Sequence, residues 1–243
     1  MVKPFISIII PAYNEVNRIF STLTSLSEEL SHVNFEYEVI IVDDGSRDQT
    51  QDIIQSFRAQ IKNLMVIKNE ENRGKGCAVK QGMLAAHGTW RLFMDADNAT
   101  PFSEFTKMLP SLDTDHAILI GSRNIKGSVI LTPQPWHRKI LGRGGNFFIQ
   151  FLFSLDISDT HCGFKCFRED AAQKIFSQAK INRWTFDDEI LALAKKMGYP
   201  IKEIPVTWHD VKIYSTFKIS DYATSFFDAL RIKYWLLTKK YSL

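Results

Sequence analysis

Only three cysteines stand among the 243 residues, Cys77, Cys162 and Cys166. An odd count in a chain this long excludes a disulfide framework as the source of stability and suits a reducing compartment. Cys162 and Cys166 have the spacing of half a zinc site, but no second Cys or His pair completes it, so both read as buried structural thiols. Net charge is equally scarce. Thirty basic against 27 acidic residues leave +3, too even a balance for a nucleic-acid partner. No run of about 18 uncharged apolar residues is present to span a bilayer; the nearest, Phe147 to Leu155, is too short. No signal peptide is legible, because Met1 to Pro4 leads at once into Ile6-Ser7-Ile8-Ile9-Ile10. The expected location is therefore the cytosol or, peripherally, the cytoplasmic side of a membrane.

What is present is a core-forming composition, 45% hydrophobic and 12% aromatic, enough for one folded domain over 1–243. Short β-branched runs alternate with amphipathic stretches, which predicts an α/β fold with a mostly parallel sheet flanked by helices. Strands are expected at Ile6–Ile10, Glu38–Val42, Leu64–Lys68, Trp90–Met94, Ala117–Gly121 and Ile201–Val206. Helices are expected at Glu15–Leu30, Asp48–Ile61, Lys75–His87 and Phe102–Leu109, with Ser46 and Asp48 as caps for the second. Gly127–Pro135 reads as a turn-rich loop before Trp136–Leu155, which is basic at its start (His137, Arg138, Lys139, Arg143) and aromatic at its end. A final helix, Ile219–Leu237, carries Ile219, Tyr222, Ala223, Phe226, Leu230 and Tyr234 along one stripe.

Open α/β sheets bind ligands beyond the carboxyl ends of their strands. The first strand ends in Pro11-Ala12-Tyr13-Asn14-Glu15, the second in Val42-Asp43-Asp44-Gly45-Ser46, the fourth in Asp95-Ala96-Asp97. Asp95 and Asp97 are two apart, so extended backbone points both carboxylates the same way. Converging carboxylates resist joint ionisation unless a cation joins them. A hard divalent ion, Mg²⁺ or Mn²⁺, bridging them to a diphosphate relieves that repulsion. Gly74-Lys75-Gly76 lacks the spacing of a P-loop, which excludes that reading.

The joint order of PAYNE at Pro11, VIIVDDGSRDQT at Val39, NRGKGCAVKQGMLAAHG at Asn72 and FMDADNATPF at Phe93 resembles the family 2 glycosyltransferases of GT-A fold. GSRN at Gly121, DTHCGFKCF at Asp159, RWTFDDEIL at Arg183 and IPVTW at Ile204 extend the resemblance over nearly the whole chain. Within the family it is most similar to the polyprenyl- and dolichyl-phosphate sugar transferases. The resemblance implies a nucleotide-sugar-binding half over 1–124 and an acceptor half with membrane-interface helices over 125–243. It implies that Pro11, Ala12, Tyr13, Glu15 and Val42 line the nucleotide, that Asp43 or Asp44 reads base and ribose, and that Lys75 sits by the base or phosphates. Asp95 and Asp97 would hold metal and diphosphate, with Ala96 on the ribose side and Arg123 balancing phosphate charge. Asp159 would border the acceptor as a base or orienting group, and Lys165 would meet the acceptor phosphate. Asp187 and Glu189 would lie near the donor sugar; Asp188 stands where relatives carry an apolar residue, which leaves open the acid that faces inward. Arg183 and Trp184 would frame the sugar pocket, Trp184 being equally suited to the core.

The expected reaction is inverting hexosyl transfer, glucose from UDP-glucose onto a polyprenyl or dolichyl phosphate. GDP-mannose, UDP-GlcNAc and a polysaccharide or soluble glycan acceptor are the alternatives. A nucleotidyltransferase would want an Arg-Lys glycine loop after the first strand, and a non-catalytic sugar-nucleotide binder would not need the intact acidic motifs. The aromatic and basic stretches suit in-plane attachment to an anionic surface, alone, with a membrane-protein partner or as a homo-oligomer. Tyr214-Ser215-Thr216-Phe217, followed by Lys218, replaces the Gly-Ser-Lys type segment that closes on the donor in relatives.

Overall fold

The β-branched runs fold as strands and the stretches between them as helices in the computed structural model, which describes residues 2–132, 136–209 and 219–242, with backbone alone at 136–141, 143, 219 and 220. In chain order the elements are β1 (Ile6–Ala12), α1 (Ile19–Ser31), β2 (Tyr37–Asp43), α2 (Thr50–Ser56), β3 (Leu64–Lys68), α3 (Lys75–Ala85) and β4 (Trp90–Met94). A 3₁₀ stretch (Phe102–Lys107) and the short α4 (Leu109–Leu112) lead to β5 (Ile118–Ser122), β6 (Val129–Ile130) and α5 (Trp136–Phe153). β7 (Phe164–Arg168), α6 (Glu169–Gln178), α7 (Phe186–Lys196), β8 (Ile201–Pro205), β9 (Thr207–Trp208) and α8 (Ile219–Leu237) complete the order.

One seven-stranded sheet runs β3-β2-β1-β4-β7-β5-β8, parallel except where β7 lies antiparallel between β4 and β5. Alternation along the strands divides the core into two layers. Ile8, Ile10, Val39 and Ile41 pack toward α1 and α2; Ile9, Ile40, Val42 and Phe93 pack toward α3, α6 and α7. β6 and β9 form a separate parallel pair.

Three expectations are corrected. The first helix starts at Ile19 rather than Glu15, because Asn14 takes a left-handed φ of 54° and the amides of Glu15 and Val16 are claimed by Thr50 Oγ1 and Asp48 Oδ2. Neither Ser46 nor Asp48 stands at the N-cap of α2, which is Gln49: the Ser46 hydroxyl accepts the Asn14 amide, and Asp48, two residues before the helix, accepts the N–H of its first residue, Thr50. Phe102–Leu109 is mostly 3₁₀, and Pro110, which has no N–H to extend a helical ladder, sits in the first turn of α4.

Candidate active site

The strand order turns outward in both directions from β1 and β4, which makes the crevice beyond their carboxyl ends the place an open sheet offers a ligand. Ala12 stands in register with Asp43, and Asp44 N–H donates to the Ala12 carbonyl at 2.8 Å. The turn after β1 is stitched to the turn after β2 by the bonds from Asn14, Glu15 and Val16 already described and by Arg47 N–H to Asn14 Oδ1. Tyr13 is half-buried on that corner. The side chains of Pro11, Ala12, Val42 and Ala96 are enclosed, and Thr22 of α1 holds the Ala96 carbonyl at 2.7 Å. They aim their neighbours rather than offering side chains.

The two aspartates after β2 differ in occupation. Asp44 accepts from Asn69 Nδ2, Arg73 N–H and Gly74 N–H, which binds the loop before α3 to the sheet. Among the described residues Asp43 takes one side-chain bond, from Ser46 N–H to Oδ1, and its Oδ2 has no protein partner. Both are buried, and Asp44 is the more fully engaged by the protein.

At the end of β4, Lys75 Nζ lies 2.5 Å from Asp95 Oδ1, at the first position of α3. Burial alone would pull the Lys75 pKa down, but Asp95, Asp187 and Asp97 together hold it above the ordinary lysine value. Asp97 accepts Ala99 N–H, and its pKa is raised by burial and then by the charge of Asp95. Glu15 is clamped by Arg18 through two bonds of 2.6 Å, and Arg18 also comes within 4.0 Å of Asp97. Burial raises the Glu15 pKa despite that clamp, Asp97 and Asp95 adding to the rise. The edge is thus a set of carboxylates held together by two basic side chains. Among the described residues no three His, Cys, Asp or Glu side chains converge as a closed metal cage.

Gly163, just before β7, closes this wall from the other side. Asp95 N–H donates to its carbonyl, and a Cβ at Gly163 would lie 2.1 Å from Asp95 Oδ2. Only glycine leaves the Asp95 carboxylate where it is.

On the expected acceptor side, Asp159 accepts three bonds from Arg123, from its N–H, Nε and Nη2, at 2.7–2.9 Å. Burial would raise the Asp159 pKa, but the Arg123 guanidinium outweighs it and holds the carboxyl below its usual range. A carboxyl held in this way is a poor base. Arg123 also stacks 5.3 Å over the Trp208 ring. Lys165, expected at the acceptor phosphate, is corrected: it is fully enclosed in β7, with its ammonium given to Asp187 and the Cys162 carbonyl. The three acids of α7 divide cleanly. Asp187 pairs with Lys165, Asp188 with His161 at 3.2 Å, and Glu189 with Tyr241 and backbone amides. Arg183 is exposed and Trp184 half-buried, its ring 6.0 Å from Lys75 Nζ. Cys77, Cys162 and Cys166 are free and buried, with Cys162 pushed up to about 12 by burial.

Sequence reasoning passed over Arg18, His161, Gly163 and Trp208. Arg18 carries a signal, an i+3 partner to Glu15; the others sit near the site only through the placement of β7 and β9. Tyr214 to Lys218, expected near the donor, lie outside the described residues.

The long helices α5 and α8 pack together through the Phe148–Phe226 stack, 5.2 Å between centroids, and Lys233 Nζ to the Leu152 carbonyl. Their outer faces leave Phe147, Phe151, Phe226, Phe227, Tyr234 and Leu237 exposed. Of the stripe expected on α8, Tyr222, Ala223, Phe226, Leu230 and Tyr234 are exposed, the Ile219 side chain lies outside the described residues, and Ala229 and Ile232 face the core. No helix among the described residues is long and apolar enough to cross a membrane.

Comparison with known proteins places this arrangement. The model of the family described as "Glycosyl transferase family 2" matches residues 7–176. A dolichyl-phosphate beta-glucosyltransferase of Dictyostelium discoideum is 38% identical over 219 residues, covering 85% of this chain and 67% of that protein. The protein of the same name from Homo sapiens is 34% identical over 223 residues, covering 85% and 68%. Among solved structures, glucosyl-3-phosphoglycerate synthase from Mycobacterium tuberculosis in complex with Mn²⁺, UDP and phosphoglyceric acid superposes with a TM-score of 0.69 at 16% identity, covering 94% of this chain and 77% of that one.

Proposed function

The chain belongs to glycosyl transferase family 2, and we propose that it moves glucose from UDP-glucose onto dolichyl phosphate with inversion at C1. The observation that carries the substrates is the likeness, over 85% of the chain, to proteins named for that reaction. The acidic edge supports the chemistry. In this reading 1–124 binds the donor and 125–243 receives the acceptor, and Asp43, Tyr13 and Glu15 face the nucleotide.

A divalent cation fits the residues present. Asp95 and Asp97 offer hard oxygen donors and would hold Mg²⁺ or Mn²⁺, with Lys75 serving Asp95 as a counter-cation beside it. When bound, the ion neutralises charge on the diphosphate as it departs. The similar fold solved with Mn²⁺ and UDP supports the same assignment.

The chain's own residues do the rest. An acceptor phosphate oxygen forms the new bond to C1 while the C1–O bond to UDP breaks and its electron pair leaves with the diphosphate. A phosphate monoester is largely ionised near neutral pH, so no side chain has to strip a proton from it. Asp159, fully engaged by Arg123, suits that economy: it orients the guanidinium toward phosphate charge. Catalysis then rests on positioning and on charge placed in advance by Lys75, Arg18 and Arg123.

The exposed aromatic faces of α5 and α8 seat the protein on the cytoplasmic side of a membrane, in the interface plane, where a lipid-borne acceptor resides. The test is incubation with UDP-[14C]glucose, dolichyl phosphate and Mn²⁺. Label extracted into organic solvent and released by mild acid supports the reading; label that stays aqueous, or enters lipid equally from GDP-mannose, sinks it.

A further inference from the structure

Glu189 is a fully buried carboxylate that the proposed chemistry leaves unused. It accepts Lys180 N–H at 2.8 and 2.9 Å through its two oxygens, Ile181 N–H at 2.8 Å and the Tyr241 hydroxyl at 2.7 Å. Tyr241, in the turn after α8, is 3% exposed and packs edge-on against Trp235 of that helix, 6.0 Å between centroids. Lys180 Nζ sits 5.6 Å from its ring, and Ser242 N–H reaches Gln178 Oε1.

The backbone that Glu189 secures continues into the grip on α3. Asn182 O accepts Cys77 N–H at 3.1 Å, and Gly74, at φ 102°, packs so closely that a Cβ there would meet Asn182 O at 2.3 Å. The next residue is Lys75, paired with Asp95. A path of hydrogen bonds joined by short stretches of backbone therefore runs from the end of α8 to the acidic edge: Tyr241, Glu189, the 180–182 backbone, Cys77 in the first turn of α3, Lys75.

We propose that Tyr241 is a positioning residue for the donor site, setting Lys75 against Asp95 through Glu189 and the 180–182 segment. The inference rests on the reading of that edge as the diphosphate site. Loss of the tyrosine hydroxyl leaves a buried carboxylate short of one donor, and the 180–182 segment shifts to recover it.

The experiment is calorimetric titration of UDP, with Mn²⁺, into wild type, Tyr241→Phe and Ile54→Val, the last a substitution on the buried face of α2 that lowers stability away from the path. Tyr241→Phe is expected to raise the UDP Kd about three- to tenfold, with Ile54→Val unchanged. Glu189→Gln provides the same readout if Tyr241→Phe does not fold. Wild-type affinity in the path variants, or an equal rise in Ile54→Val, overturns the inference alone. Absence of Mn²⁺-dependent UDP binding in wild type overturns the donor-site reading and this inference with it.

Discussion

Gly163→Ala isolates the placement of a single carboxylate. The added Cβ would stand 2.1 Å from Asp95 Oδ2, 2.3 Å from its Cγ and 2.6 Å from Oδ1. Non-bonded carbon and oxygen need well over 3 Å, so the carboxylate must retreat by about 1 Å or more. Gly163 is not among the positive-φ glycines, so the backbone accepts alanine and the conflict falls on Asp95. Asp95 then swings away from Lys75 and from the position it shares with Asp97. A displacement of that size at reacting groups costs about 10²-fold in rate, or roughly 2.7 kcal/mol of transition-state stabilisation. Folding suffers far less, because the Lys75–Asp95 pair is part-exposed and worth at most about 1 kcal/mol, some 2–4 °C in Tm. Initial rates at saturating dolichyl phosphate give kcat/KM for UDP-glucose, and scanning calorimetry gives Tm. A variant with kcat/KM within about threefold of wild type would refute the reasoning; so would a loss of activity matched by wholesale loss of the fold.

Two further outcomes follow from the geometry. Asp159→Asn leaves Arg123 short of its charge partner, and stability at pH 7 should fall by roughly 2–4 kcal/mol in urea titration. Because the Asp159 pKa is depressed in the fold, this contribution is complete above the ordinary value of 3.8 and fades as pH drops below it, so wild type and variant should converge in acid. Replacing Phe147, Phe151 and Phe227 together by serine removes three exposed rings, each worth about 1.5–3 kcal/mol when buried. Wild type should float with anionic vesicles and the triple variant should not; equal flotation would remove these faces from the membrane assignment.

The acidic edge was legible because its parts are local. Pro11 to Glu15, Asp43-Asp44 and Asp95 to Asp97 each follow a strand whose β-branched run is unmistakable, and parallel packing brings those ends together. What sequence could not show is which atoms are already engaged. Asp43 and Asp44 are chemically identical neighbours, yet loop 69–74 occupies one and leaves the other an unpartnered oxygen. The resemblance put Lys165 at the acceptor phosphate; the insertion of β7 between β4 and β5, which no local pattern announces, buries it against Asp187. The same insertion puts Gly163 against Asp95, a contact 68 positions apart in sequence and invisible to any local pattern. α6 went unread for a related reason: it follows β7 without a turn, so no punctuation separates the two.

The central claim is that Asp95 and Asp97 hold a cation and the pyrophosphate of a sugar nucleotide, and calorimetry of UDP with and without Mn²⁺ tests it most directly. Wild type should bind UDP at least about tenfold more tightly with Mn²⁺ than without, and Asp97→Asn should abolish that difference while keeping its fold. UDP affinity indifferent to Mn²⁺ in wild type, or a full Mn²⁺ effect surviving in Asp97→Asn, would contradict it.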